Sequence, residues 1–357
     1  MTSRILGGWV MAGALGVGWM DEKQSNYTPA IHKPRLQRVS RDIIFLSYTK
    51  RIETMQRYGK VIVETGVDAG KFASLVAALN LTPPVLIKPN WGTVECFTEA
   101  DILDWTLAAI PGDKLVIESH GWARNEETLL GKPPVELTKA NLRRGDRWFR
   151  AHTGVDEVLE KHRVEFLNLT EEVWAGRTAD PEQVRQAVEA KYPPVQQAEL
   201  YTRVPARLFD LRGGTLLSLA KTKVIFEPLC VSLAVKNLFG LIPGPSRGKF
   251  HGKNHALLDQ SIADINKIYA SLFNLKGIIE MVHSAGTLME DGKPTKVYPG
   301  CGAAFASESL TALDAFTTAA AGRDPQTVGH LRLAAALFGG WDPQTVADAA
   351  RCGVKIY

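Results

Sequence analysis

The chain has 357 residues, of which 45% are hydrophobic, 22% charged and 8% aromatic. That is ordinary globular composition, and it excludes disorder, collagen-like repeats and a disulfide-stapled miniprotein. Lysine and arginine number 42 against 38 aspartates and glutamates, a formal net charge of +4; this mildly basic balance does not demand a nucleic-acid partner.

In chain order, residues 5–20 form an uncharged run of 16 after Arg4, with five glycines among them. The run is weakly signal-like but shorter than the roughly 20 residues a spanning helix needs. Met20 is followed at once by Asp-Glu-Lys-Gln-Ser-Asn, so translation is expected to start there, with 1–19 upstream of the mature chain. Residues 1–39 are read as an N-terminal extension and 40–357 as a single α/β domain. No other stretch is long and apolar enough to cross a membrane, and a cytoplasmic location is expected.

From Arg41 onward short apolar runs alternate with helix-period segments. DIIFLSY (42–48) and KVIVETG (60–66) read as strands by length and β-branched content. Residues 68–79 place Phe72, Leu75, Val76 and Leu79 at helical spacing. PVLIKPNWG (84–92) is a strand stopped by Pro89. Residues 98–110 open with Thr98 and an acid three positions on, a start resembling a capping box. DKLVIESHGW (113–122) and VEFLNLT (164–170) are further strands. Strand, helix, strand, helix predicts βαβ units and a mostly parallel sheet flanked by helices. The stretches near 121–163 and 170–200 read as insertions packed around that sheet. Residues 230–240 and 275–286 read as buried strands running into polar ends. Asp-Pro-Gln-Thr-Val occurs at 324–328 and again at 342–346; each copy puts Asp at an N-cap and Pro at the first helical position.

In an open parallel sheet ligands bind beyond the carboxyl ends of the strands, where loops and helix N-termini converge. The polar residues ending the predicted strands are therefore the first site candidates: Lys88 and Asn90, then Glu118, Ser119 and His120. An ammonium and an amide at a stiff Lys-Pro-Asn turn suit an anionic or carbonyl group. A second candidate is the segment 236–255, in which Gly240, Gly244, Gly248 and Gly252 recur every four residues among Arg247, Lys249, His251, Lys253 and His255. Glycines let backbone amides approach an anion, and the cations supply counter-charge.

Other chemistries find less support. Phe250 follows Lys249, so this is not a G-x-x-x-x-G-K-S/T phosphate loop. His251 and His255 lack a third ligand fixed by spacing, and no metal site is assigned. Cys96, Cys230, Cys301 and Cys352 form no C-x-x-C pair and suit a reducing compartment. Arg143, Arg144, Arg147 and Arg150 fall on more than one helix face, as a solvated surface does, so nucleic-acid binding is not expected.

Taken in order, VLIKPN (85–90), the Glu-Ser-His end (118–120), AKTK (220–223), VSLAVKNLFG (231–240), His-Gly (251–252) and ASESLTALDAF (306–316) resemble the domain of unknown function 362 family over roughly 40–320. The resemblance maps family positions onto Lys88, Asn90, Lys221, Lys223, Lys236, Asn237, His251 and Asp314. Departures are Ala220 in place of a proline, Val224 in place of a histidine, Glu280 near the usual Asp-Gly, and Glu308-Ser309 within the A-S-x-D pattern. Many members append ferredoxin-like cysteine motifs, and this chain has none. The resemblance implies a fold and a lysine-rich cleft, with no reaction attached.

The expectation is thus an enzyme acting on a small anionic metabolite bearing phosphate or carboxylate. Lys88, Lys221, Lys223, Lys236, Arg247 and Lys249 would hold the anion, and Asn90 and Asn237 would orient it. His120, His251 or Lys236 would move protons, and Asp314 and Glu118 would serve as charge partners. An accessory protein holding a cofactor or metal, and a nucleic-acid binder, are the alternatives; substrate, cofactor and oligomeric state are left open.

Overall fold

The computed structural model describes residues 55–132, 135–225, 231–244, 247–288 and 296–356. The N-terminal extension, the strand expected at 42–48 and Cys230 lie outside the described residues.

Twelve strands are present among these residues: β1 (Gln56–Tyr58), β2 (Val61–Thr65), β3 (Val85–Pro89), β4 (Lys114–Glu118), β5 (Phe166–Asn168), β6 (Thr215–Lys221), β7 (Lys223–Ile225), β8 (Val231–Ser232), β9 (Asn274–Met281), β10 (Ser284–Leu288), β11 (Lys296–Pro299) and β12 (Ala303–Ser307). Eight build the main sheet in the order β1-β2-β12-β9-β6-β3-β4-β5. From β9 to β5 every pairing is parallel, as the βαβ alternation predicts. The other edge is antiparallel, because β12 runs against both β9 and β2. A smaller sheet follows the order β11-β10-β7-β8. The predicted α/β class is what the chain adopts.

Two apolar layers cover the main sheet. One gathers Leu86, Ile117, Leu216, Ile279 and Phe305 with Val184, Val188, Ile262, Ile265 and Phe316. The other joins Ile87, Val116, Leu217, Ile278 and Ala304 to Phe72, Leu75, Leu103, Leu107 and Phe149. Neighbouring strand residues divide between the layers, as the two-residue period of a strand requires. Val184, Val188 and Phe149 belong to the helices Pro181–Glu189 and Lys139–His152, so both polar stretches contribute helices to the cores.

Helix starts follow local capping chemistry. Asp68 accepts from the Lys71 amide at 2.9 Å and opens Ala69–Ala77. Asp324 and Asp342 accept from the Gln326 and Gln344 amides, each at 2.9 Å, so both Asp-Pro-Gln-Thr-Val copies cap as predicted. Two expectations need correction. Thr98 is not the cap of Ala100–Ala109: its hydroxyl accepts the Asn90 amide at 2.8 Å and donates to the Leu219 carbonyl at 3.3 Å, tying β3 to β6. Residues 231–240 are a strand only at Val231–Ser232; the chain then turns into the short helix Ala234–Asn237 and a 3₁₀ turn, Leu238–Leu241. The cause is Asp314, whose two carboxyl oxygens accept the Ala234 and Val235 amides at 2.9 Å each and so fix a helix start that the apolar run itself does not encode.

Candidate functional site

The carboxyl ends of β3, β4 and β6 lie side by side, and the 234–241 turn and the short helix Gly248–His251 complete one cleft of about 510 Å³. Its lining includes Lys88, Asn90, Glu118, Lys223, Lys236, Asn237, Arg247 and His251. Eight of the twelve residues assigned a role from sequence are thus brought together, with the candidates Ser119 and His255 beside them. His120, Lys221, Lys249 and Asp314 are placed elsewhere.

Lys88 and Glu118 form the floor. Both are buried, and the Lys88 ammonium donates to the Glu118 carboxylate at 2.8 Å, the Pro89 carbonyl at 2.7 Å and the Asn237 amide oxygen at 3.2 Å. Burial lowers the Lys88 amine to about 8 although Glu118 pulls the other way. Gly240 allows this arrangement, because an added Cβ there would lie 2.9 Å from the Lys88 Nζ and 3.3 Å from the Glu118 Oε1.

Two asparagines connect the floor to the walls. The Asn237 side-chain NH2 donates to the Lys88 carbonyl at 3.0 Å and to the Ser218 hydroxyl at 3.2 Å. Its oxygen also accepts from Asn90 at 3.2 Å. The Asn90 oxygen in turn accepts from the buried Lys223 ammonium at 2.8 Å. Lys223 is pushed below the ordinary lysine value by burial, and among the described residues its hydrogen-bond partner here is a neutral amide.

Lys236 is half-buried, and among the described residues its amine meets only the Ser232 hydroxyl, at 3.4 Å. Burial and the neighbouring Lys223 bring it down to about 8. Arg247 is brought to about 10 by burial, and its guanidinium donates to the carbonyls of Gly240 at 2.7 Å and Ile242 at 3.1 Å. His251 falls to about 4 through burial and the charge of Lys236, and its Nδ1 lies 3.0 Å from that of His255. His255 and Asn254 both adopt left-handed backbone, at φ 61° and 51°, a conformation uncommon for non-glycine residues but one that Asn and His enter more readily than most.

The lining carries Lys88, Lys223, Lys236, Arg124 and Arg247 against the single carboxylate of Glu118, a formal charge of +4 with the two histidines counted as neutral. Low-dielectric walls focus such a field toward anions.

The remaining candidates do other work. Lys221 pairs with Glu99 at 2.6 Å and with its register partner Glu280 at 3.0 Å, and these two carboxylates raise its amine. Burial lifts Glu280 to about 8. His120 is buried with Asp146 on Nδ1 and Glu171 on Nε2, the latter at 2.8 Å. Lys249 is exposed and paired to Glu199. Asp314 engages the Ala234 and Val235 amides, and so positions the helix carrying Lys236 and Asn237.

The arginine helix is largely neutralised, since Arg143, Arg144 and Arg150 pair with Glu171, Glu127 and Asp156 at 2.7, 3.0 and 3.0 Å. Among the described residues no group of three or more His, Cys, Asp or Glu is placed to hold a metal, and no helix is long and apolar enough to cross a membrane.

Sequence reasoning missed Arg124, Trp122 and Ser232, which also line the cleft. Arg124 left no signal, because its anchors are the Ser119 carbonyl and Asp146, the latter at 3.2 Å from a different segment. Gly240 was visible only as one of a glycine series.

The family model described as Domain of unknown function (DUF362) matches residues 85–319, about two thirds of the chain, which therefore belongs to that family. The matched span contains every cleft residue named above. No curated protein and no solved structure gives a significant match.

Proposed function

We propose that this DUF362 member is an enzyme acting on a small anionic metabolite, with the cleft over β3, β4 and β6 as its active site. The observation that carries the reading is Lys236: a half-buried amine held near 8, with a hydroxyl at 3.4 Å as its partner among the described residues. A phosphate or carboxylate beside Lys236 and Lys223 would supply the negative charge that the +4 lining lacks. Asn90 and Asn237 would orient it, being already fixed by the Lys88–Ser218–Lys223 hydrogen bonds.

An amine near 8 is partly deprotonated at neutral pH, so Lys236 can accept a proton or act as a nucleophile. His251, held neutral, is the second proton carrier. His120 does not fit that role, since carboxylates occupy both its ring nitrogens. Cys96, Cys301 and Cys352 are free thiols, which supports a reducing, cytoplasmic setting.

The test is calorimetric titration of the intact chain with inorganic phosphate and with acetate, alongside Lys236→Ala. At least one anion should bind the wild type and lose roughly tenfold or more in affinity in the variant, the scale of a lost charge-assisted contact. Thermal unfolding should be little changed, because Lys236 is not in the core. Unchanged affinity in Lys236→Ala overturns the assignment. Turnover of a phosphorylated or carboxylated metabolite, followed by mass spectrometry and lost in the same variant, would establish the enzyme.

A further inference from the structure

The cleft is larger than an inorganic anion requires. Its volume of about 510 Å³ falls within the roughly 300–1,000 Å³ typical of sites that enclose a whole metabolite or cofactor. The lysines and asparagines account for the charged end of such a molecule, and the rest of the lining indicates what the other end is.

Five rings line the same cleft: Trp122, Phe239, His251, His255 and the buried Trp91. Phe239 stands edge-on to His251 with centroids 5.1 Å apart, and His251 lies 5.2 Å from His255. Trp122 is the outlier, because the residue is 52% exposed although the turn carrying it is tied to its surroundings. The Trp122 carbonyl accepts from the Asn125 side chain at 2.7 Å, and the next residue, Ala123, bridges to Thr93. Arg124 folds back so closely that a Cβ on Gly121 would sit 2.6 Å from its Nε. A large apolar ring left in water on a fixed turn, at the mouth of a polar cleft, has the form of a stacking platform.

Resting on the anion-binding reading above, we infer that the substrate carries a planar ring as well as its anionic group, and that Trp122 is a specificity-determining residue that stacks on that ring. The ligand class is an aryl- or heteroaryl-bearing phosphate or carboxylate.

The probes are two matched pairs, phenyl phosphate with inorganic phosphate and benzoate with acetate. Each is titrated calorimetrically into the intact chain, into Trp122→Ala, Trp122→Phe and Lys236→Ala. In the wild type the aryl member of the binding pair should be about tenfold tighter than its small partner, as one aromatic contact allows. Trp122→Ala should collapse that ratio to about two or less, and Trp122→Phe should keep most of it, as expected of stacking. Lys236→Ala should weaken both members and leave the ratio in place. Equal affinities in the wild type, or a ratio that survives Trp122→Ala, overturn the ring assignment while leaving the anion site standing. If neither pair binds, both readings fall together.

Discussion

Gly240→Ala tests the cleft floor directly. At a backbone position that alanine tolerates, glycine replacement stabilises by about 0.4–1 kcal/mol, by reducing the freedom of the unfolded chain. Gly240 has no left-handed φ, so that gain should apply. Against it stands the new methyl, 2.9 Å from the Lys88 Nζ, 3.0 Å from its Cε and 3.3 Å from the Glu118 Oε1. The ammonium cannot withdraw freely, because three acceptors hold it at 2.7, 2.8 and 3.2 Å. Overpacking of this kind costs about 1–3 kcal/mol, and separating a buried ion pair costs about 3–5 kcal/mol. The clash therefore outweighs the chain-entropy gain, and the net effect should be destabilising by about 1–3 kcal/mol. For a domain of this size that lowers the melting temperature by roughly 2–5 °C. Thermal unfolding of wild type, Gly240→Ala, Lys88→Ala and the double variant forms a cycle. Once Lys88 is truncated the methyl has room, so the Gly240 substitution should cost almost nothing on that background. A wild-type melting temperature in Gly240→Ala, or an undiminished cost in the double variant, would refute the packing argument.

Asp314→Asn leaves one of the Ala234 and Val235 amides facing a donor, which should destabilise by about 1–3 kcal/mol and weaken anion binding through displacement of Lys236. Burial raises the Asp314 carboxyl to about 8, so the native state holds this proton after the unfolded state has lost it. Its contribution to stability is therefore full below about pH 4 and fades as pH climbs to about 8; chemical denaturation at several pH values should show Asp314→Asn flattening that decline. His120→Gln should lower stability by roughly 1–3 kcal/mol while moving anion affinity less than about twofold, since His120 does not line the cleft; a large loss of affinity would return it to the catalytic set. Lys88 and Lys236 titrate near 8, and an adjacent anion raises both. Binding at about pH 8 should therefore take up protons, and affinity should fall as pH rises further. Calorimetry in buffers of different ionisation enthalpy measures that uptake, and its absence would contradict the lysine-rich reading.

The parallel half of the sheet was legible because its strands are short apolar runs ending in polar residues, separated by segments with helical period. Helix starts at Asp68, Asp324 and Asp342 were legible because a capping carboxylate acts within three residues. The antiparallel edge at β12 and β2 was not, since strand direction depends on the connection and leaves no local period. The turn at 234–241 was misread for a related reason: its cause, Asp314, lies 80 residues away from Ala234. The same boundary divides the lysines. Lys88, Lys223 and Lys236 sit at run ends and reach the cleft. Lys221 has an identical local signature, but its register partner is Glu280 and Glu99 closes over it, so only the paired strand reveals that it is neutralised.

What separates Lys223 and Lys236 from Lys221 is the kind of partner each receives among the described residues. Lys221 meets two carboxylates and is raised, whereas Lys223 meets an amide and Lys236 a hydroxyl, and both are lowered. A protein that needed buried lysines only for architecture would pair each one, because an uncompensated buried ammonium is costly. For Lys88, the shift from 10.5 to about 8 disfavours the charged form by about 3 kcal/mol even with Glu118 in contact. That penalty persists because Gly240, Asn237 and the Asp314-held helix leave the amine nowhere else to go. An anion in the cleft would recover part of it by restoring the positive charge on Lys88, Lys223 and Lys236. Under the proposed function, the same geometry that costs folding stability would contribute to anion affinity, which is consistent with the neutral partners that Lys223 and Lys236 have among the described residues.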